Sequence, residues 1–452
     1  MLKQKFTFLV VFIVLVTSVL VVGPLLGQDD ATEIRVWVAF TDYRLDWAKE
    51  RAEEFNSMFP QYNVIIEGYE SYNAAFDATV LAAEQGNPPA ITHFFEAATQ
   101  NARDAVAPDG SPLFKSVAEA IGDRTEINGI PVVLDDVVSA AADYYTVDGV
   151  FTSMPWNTSS TVMFSNADIL EAAGIEAPPE TWGEVDAACE AIMALDNGPT
   201  NCITWPNHGW FLEQSVAQQG ADLANNGNGR DGRATEVMFN SDAAAAYVNW
   251  WKDLNDKGYY VYTGVQRDWG GTQNAFESGQ VAFLIFSSSD ATAIPANTAE
   301  NFPTIVSRMP YNEEAGYHGN IIGGATLWLN NGLDPAVEEG ALTFMNWFSN
   351  PENAAEWHQI TGYIPITNTA FNNLTESGWF DENPNAAVAN MQLDMMPTTG
   401  ALFGGFVEIR DVFTQAMEEI LLNNEDVAAT LDAVNDDANA ILEEYNLLFA
   451  PE

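Results

Sequence analysis

After a long apolar opening, the chain alternates between two hydrophobic periods. Residues 34–40 are rich in β-branched and aromatic side chains and predict a strand. Ala48, Ala52, Phe55 and Phe59 then recur at helical spacing until Pro60 stops the pattern. Residues 64–66 predict a second strand, 74–83 a helix ended by Gly86-Asn87-Pro88, and 90–95 a third strand. Strand–helix–strand alternation of this kind predicts an α/β fold with a mostly parallel sheet. Residues 149–154 and 161–164 read as further strands, and 166–173 as a short helix closed by Gly174. Thr181-Trp182-Gly183-Glu184 has the form of a capping box and opens a helix running to 195. Residues 243–254, 336–348, 412–422 and 427–448 read as helices. The stretch 225–233 is rich in Asn, Asp and Gly but lacks the carboxylate spacing of a calcium loop, so it reads as plain loop. There is no internal repeat.

Lys3 and Lys5 precede the apolar run 6–27, which gives way to Gln28-Asp29-Asp30. Residues 1–27 therefore read as a secretory signal peptide or, because about 20 apolar residues can span a bilayer, as an uncleaved N-terminal anchor. Either way the body is expected outside the cytoplasm, in a periplasm or at a cell surface. In that oxidising setting Cys189 and Cys202 are expected to pair as a structural disulfide. Two cysteines exclude any Cys-based zinc or iron–sulfur cluster. The chain carries 64 acidic residues against 16 Lys and Arg, a formal net charge of −48. That balance excludes a general nucleic-acid or polyphosphate binder, which needs basic surface to displace counterions.

Common catalytic signatures are missing. His93, His208, His318 and His358 are scattered without metal-ligand spacing, and no GxSxG, GxxxxGK[ST] or GxGxxG motif follows a strand. No metal and no cofactor is expected. Paired carboxylates are frequent but read as solvated helix faces. From Met309 to Glu452, Arg410 is the only Lys or Arg, against 23 Asp and Glu. It is either an ion-pair partner of Glu408, Asp411 or another acid, or the single cation of an anion site, where its planar fork can grip two phosphate oxygens. Ser287-Ser288-Ser289-Asp290 follows a strand-like run, 281–286, and suits either an anion or an ordinary N-cap. Gly323-Gly324, inside the apolar run 321–329, marks a bulge or a close approach of backbone to ligand. Trp182, Trp205, Trp210 and Tyr363 are aromatics that could floor a polar-ligand site, and each is equally suited to core or rim.

Several stretches carry a resemblance. Met154-Pro155-Trp156-Asn157-Thr158-Ser159, residues 276–283 (FESGQVAF) and residues 322–328 (IGGATLW) resemble family 1 extracellular solute-binding proteins of ABC importers. Residues 350–367 (NPENAAEWHQITGYIPIT) narrow the similarity to the branch serving sn-glycerol-3-phosphate importers. The resemblance runs from about residue 32 to the end. It implies a two-lobed periplasmic-binding-protein fold of the maltose-binding type, with the ligand between the lobes. One lobe would hold residues 31–157 and 312–351, the other 158–311 and 352–452.

The branch's ligand positions fall, residue by residue, on Tyr72, Glu96, Ser159, Ser287, Gly324, Tyr363 and Arg410, and an aromatic beside the glycerol part falls on Trp182. In this scheme Arg410 pairs with the phosphate. Ser159, Ser287, Tyr363 and the Gly324 N–H donate to its remaining oxygens, and Glu96 accepts from glycerol hydroxyls with Tyr72 alongside. The resemblance implies a monomer that binds a small phosphorylated polyol, has no enzymatic activity, closes its lobes over the ligand and docks on the transmembrane subunits of an ABC permease. The chain departs from the branch in its acidity and in the pattern around Trp205 to Trp210, which would leave room for a glycerophosphodiester. The competing expectations are the same fold binding a neutral oligosaccharide, an extracellular hydrolase and a structural surface protein.

Overall fold

The computed structural model describes residues 31–393 and 400–449, so the expected signal or anchor at 1–27 lies outside the described residues. Two sheets, each with its own core, organise the chain. Strands β1 (Thr32–Val38), β2 (Tyr62–Gly68), β3 (Ile91–Phe95), β4 (Phe114–Lys115) and β5 (Met154–Ser159) belong to the first. Strands β6 (Thr161–Asn166), β7 (Ile203–Thr204), β8 (Phe283–Ser287) and β9 (Thr304–Arg308) form the second, and β10 (Gly323–Asn330) returns to the first. The order is β2-β1-β3-β10-β4 with β5 also on β10, and in the second sheet β7-β8-β6-β9.

The expectation of a mostly parallel sheet holds in two places, one of them the short parallel pairing of β7 with β8 in the second sheet. β1 pairs in parallel with β2 and β3, as right-handed strand–helix–strand units require. β10 runs antiparallel to β3, β4 and β5, and β6 runs antiparallel to both β8 and β9. Antiparallel neighbours arise because the chain leaves one sheet for the other and returns. β5 and β6 are nearly continuous through Ser160, and β10 re-enters the first sheet beside β5.

Local sequence accounts for the elements around this crossing. Helix α1 (Tyr43–Met58) starts at Asp42, whose side chain accepts from the Arg44 N–H, and it buries Trp47, Ala48, Ala52 and Phe55 against the first sheet. Helix α2 (Tyr72–Glu84) is capped by Ser71, which accepts from the Ala74 N–H. In helix α3 (Trp182–Met193) both arms of the capping box form, between Thr181 and Glu184. Its buried stripe is Trp182, Val185, Ala188, Cys189 and Ile192. That stripe points Cys189 at Cys202, at the edge of β7, and the two are bonded, with 5.3 Å between their Cα atoms. Helices α4 (Gly209–Gln218), α5 (Asp242–Asp256), α6 (Pro335–Phe348), α7 (Pro351–Thr361), α8 (Phe406–Asn423) and α9 (Val427–Phe449) complete the frame. The expected loop at 225–233 holds consecutive left-handed residues, Asn226 to Asn228, and the buried Asn228 side chain accepts from the N–H groups of Leu223 and Ala224. Among the described residues, no helix is long and apolar enough to cross a membrane.

Candidate ligand-binding site

The crossing from β5 to β6 lies on the wall of a cavity of about 550 Å³. The first sheet supplies Phe40 from the end of β1, Arg44 from α1, Tyr72 from α2, and Phe95 and Glu96 from the end of β3. It also supplies Ser159 at the end of β5, with Tyr363 packed against its core, while the other side supplies Ser287 at the end of β8, Ser289 and Asp290 just beyond it, His208 and Trp210 at the start of α4, Arg267, the helix-opening Trp269, and Arg410. Seven of the eight positions expected from sequence therefore line one space: Tyr72, Glu96, Ser159, Ser287, Gly324, Tyr363 and Arg410.

Arg410 occupies the centre of the polar wall. It lies in the first turns of α8, 3% exposed, so its charge must be matched locally. Glu213 of α4 meets its Nε–Nη2 edge with both carboxylate oxygens, the Nη2–Oε2 distance being 2.6 Å. Glu96 Oε1 accepts from the same Nη2 at 2.6 Å. Among the described residues nothing hydrogen-bonds Nη1. Burial opposes the arginine's charge, but the two carboxylates outweigh it and hold the guanidinium protonated. The same burial pushes Glu213 up to about 6, against the pull of Arg410. Of the two readings of Arg410 left open by the sequence, the ion pair is what the structure shows, with Glu96 and Glu213 as the pairing acids rather than Glu408 or Asp411. Gly209 packs closely beside it: a Cβ there would sit 3.2 Å from the Arg410 Cγ, a tight contact.

Two further guanidinium groups line the cavity, each already paired. Arg44 grips Asp42, with Nη2–Oδ2 at 2.5 Å, and lies 4.5 Å over the Phe40 ring. Arg267 pairs with Asp411 and holds an unusual backbone, φ +56°. His208 is half-buried, and desolvation together with the charges of Arg410 and Arg267 drives its pKa well down, so it is neutral. Its Nδ1 accepts from the Trp210 N–H at 3.0 Å, and the Trp210 and Trp269 rings stand nearby, giving one aromatic wall. Asp290 is raised by burial, an effect partly offset by the hydrogen bond from Ser289 and by Arg44.

A buried relay holds Tyr72 in place. The Ala39 N–H donates to His93 Nδ1 at 3.2 Å, which leaves Nε2 to donate to Asn157 Oδ1 at 2.6 Å. Asn157 Nδ2 in turn donates to the Tyr72 hydroxyl at 3.2 Å. Burial drives His93 down to about 3, so this tautomer persists at any physiological pH. Opposite, Gly324 has φ +97°, and a Cβ there would lie 1.9 Å from the Asn157 carbonyl oxygen. A Cβ on Gly323 would strike the Trp210 indole at 2.3 Å. The pair is needed for close packing of backbone on backbone and ring, next to the register shift between Ala325 and Thr326. Ser287 likewise does local work, its Oγ accepting from the Ser289 N–H at 3.1 Å.

Trp182 does not reach this space. Its ring is 7% exposed, stacks on Trp250 at 4.9 Å, and donates through Nε1 to the Pro310 carbonyl at 3.2 Å. The reason is periodic: Trp182 is the first residue of the apolar stripe of α3, so it turns into the core with Val185 and Cys189. Trp205 is also core. The residues that sequence reasoning passed over are Arg44, Glu213, Arg267 and Trp269; His208 was read only as lacking metal-ligand spacing, and Asp290 only as the end of the serine cluster. Glu213 left a weak signal, as the one charged residue in an otherwise uncharged segment, GWFLEQSVAQ. Among the described residues, no group of three or more His, Cys, Asp or Glu side chains could hold a metal.

Comparison with known proteins agrees with this architecture. Residues 50–388 match the family of bacterial extracellular solute-binding proteins. The sn-glycerol-3-phosphate-binding periplasmic protein UgpB of Pectobacterium atrosepticum is 29% identical over 430 residues, 93% of each chain. UgpB of Yersinia pseudotuberculosis is 30% identical over 414 residues, covering 89% of this chain and 90% of its own. Among solved structures, UgpB from Mycobacterium tuberculosis in complex with glycerophosphocholine superposes with a TM-score of 0.73 at 18% identity, covering 92% of this chain and 99% of its own. The cyclic alpha-maltosyl-1,6-maltose binding protein from Arthrobacter globiformis gives the same TM-score at 20% identity, covering 92% of this chain and all of its own. With its two-sheet frame of the maltose-binding type and a cavity at the crossing between the sheets, the chain belongs to the bacterial extracellular solute-binding protein family and is a solute-binding protein of ABC import.

Proposed function

We propose that this protein captures sn-glycerol 3-phosphate or a glycerophosphodiester outside the cytoplasm and delivers it to an ABC permease by closing its lobes over the ligand. The observation that carries the reading is Arg410, a buried guanidinium on the cavity wall whose Nη1 has no partner among the described residues. Ser159, Ser287, Tyr363 and Gly324 line the same space and supply the neutral donors that a phosphate needs around one cation. Glu96 and Tyr72 stand where glycerol hydroxyls can be met, and His208, Trp210 and Trp269 offer an aromatic wall for the remainder of the ligand. Relatives at about 30% identity are named for sn-glycerol 3-phosphate, which supports the same assignment.

In this reading the lobes are residues 31–157 with 312–351, and 158–311 with 352–452. Strand pairing supports that division in outline, since β1–β5 and β10 share one sheet and β6–β9 the other, while Trp357 and Tyr363 of the last segment pack in the core of the first. Donors from both lobes converge only in the closed form, so ligand shifts the hinge toward closure and the closed monomer is what the permease recognises. The protein acts by binding, without turnover.

A neutral oligosaccharide is the second reading. The aromatic wall and the carboxylates of Glu70, Glu96 and Asp290 favour it, because sugars stack on rings and donate to acids. Titration calorimetry with sn-glycerol 3-phosphate, glycerophosphocholine and maltose separates the two. Binding of a phosphate ester, lost in Arg410→Ala, supports the proposal. Binding of maltose alone, indifferent to Arg410→Ala, overturns it.

A further inference from the structure

Arg410 faces more anionic charge than it can match. Within the buried triad one guanidinium meets two carboxylates, Glu96 and Glu213. The other cavity cations do not correct this, because Arg44 is matched by Asp42 and Arg267 by Asp411. A phosphate reaching Arg410 would add charge of the same sign to a site closed off from water, where like charges interact strongly. One carboxylate must then give up its charge or the ligand must bind weakly.

The geometry singles out Glu213. Glu96 lines the cavity, whereas Glu213 is not among the lining residues and lies behind Arg410 on α4, a helix buried along its whole length. It cannot rehydrate when the ligand arrives. Its carboxylate spans the Nε–Nη2 edge, the edge best shaped for bidentate phosphate, and so leaves Nη1 for the ligand. We propose that Glu213 is a positioning and charge-balancing residue: it fixes the presented face of Arg410 and takes up one proton from solvent when an anionic ligand binds. This rests on the reading of the cavity as a phosphate-ester site.

The charged and titratable groups around Glu213 agree with this assignment. Arg410 and Glu96 act on it directly, Tyr144 stands within electrostatic reach, and His208, at the N-terminus of the same helix, is held neutral beside Arg410 and Arg267. Burial already pushes Glu213 up to about 6 in the absence of ligand. An added anion raises it further, so protonation on binding falls in the range from about pH 6 to 8. Asp290 is the competing proton acceptor, as it too is raised by burial and lines the cavity.

The test is calorimetry with glycerophosphoglycerol, a phosphodiester of net charge −1 that does not itself titrate in this range, run at pH 6, 7 and 8 in two buffers of different ionisation enthalpy. The proposal expects net uptake approaching one proton at pH 7 and a dissociation constant at least about tenfold lower at pH 6 than at pH 8. Glu213→Gln, the isostere of the protonated acid, should bind without proton uptake and with a pH-independent constant, while Asp290→Asn should retain the uptake. Binding of unmodified protein with no proton uptake overturns the proposal without any variant being needed. Uptake that survives Glu213→Gln, or vanishes in Asp290→Asn, assigns the proton elsewhere and also overturns it. Failure of both glycerophosphoglycerol and sn-glycerol 3-phosphate to bind at any of these pH values removes the phosphate-ester reading itself, and the inference with it.

Discussion

Replacing Arg410 by Gln isolates the energetics of the buried triad. The substitution leaves the carboxylates of Glu96 and Glu213, with side chains 7% and 4% exposed, facing each other without a cation. Removing one partner from a buried ion-pair network typically costs about 3–5 kcal/mol, far more than the network itself contributes. The loss should depend on pH in a definite direction. A carboxyl whose folded pKa lies above its unfolded value lends stability below the unfolded pKa and loses it as pH rises through the folded one. Glu213 is already raised, and removing Arg410 raises it further. Arg410→Gln should therefore be most destabilised near pH 8 and recover toward pH 5, by up to about 1.4 kcal/mol per pH unit for each carboxyl that protonates. Urea unfolding at pH 8 and pH 5 reads this as a shift of midpoint, and Arg410→Gln combined with Glu213→Gln should regain much of the loss at pH 8. A penalty below about 1 kcal/mol at pH 8, or one that does not shrink on acidification, would refute the tight triad.

Reducing the Cys189–Cys202 bond, or the Cys202→Ser variant, should cost about 3 kcal/mol, the chain-entropy value for a loop of this length, read as a lower melting temperature in dithiothreitol. Gly324→Ala should destabilise by about 2 kcal/mol or more in urea unfolding, since φ +97° and a 1.9 Å approach to the Asn157 carbonyl leave a methyl no room. His93 is neutral when folded, with a pKa near 3, so its share of stability is complete above pH 6.5 and is lost as pH falls toward that value. His93→Gln should accordingly flatten the fall in urea midpoint between pH 6.5 and pH 4, by about 1.4 kcal/mol per pH unit.

How much of this was written in the sequence can be traced residue by residue. The strands β1, β2 and β3 and the cap of α3 follow from local pattern, and they stand where that pattern put them. The antiparallel pairings do not, because β6 and β10 are placed by chain crossings that no local window contains. Motif resemblance brought seven residues to one cavity but misplaced Trp182, where the capping-box helix imposed its own period. The partners of Arg410 were beyond reach for the same reason as β10: Glu96 and Glu213 are separated from it by 314 and 197 residues. Glu213 left a faint trace, the one charge in an otherwise uncharged helix.

The central claim is that a phosphate ester is held at Arg410 in the crevice between the two sheets. A crystal structure of the protein with sn-glycerol 3-phosphate tests it most directly. The prediction is phosphate oxygens within hydrogen-bond distance of Arg410 and of hydroxyls among Ser159, Ser287 and Tyr363, with the glycerol toward Glu96 and Tyr72. A phosphate seated on Arg44 or Arg267 with Arg410 still enclosed by its two carboxylates, or a cavity that takes up only a neutral sugar, would contradict it.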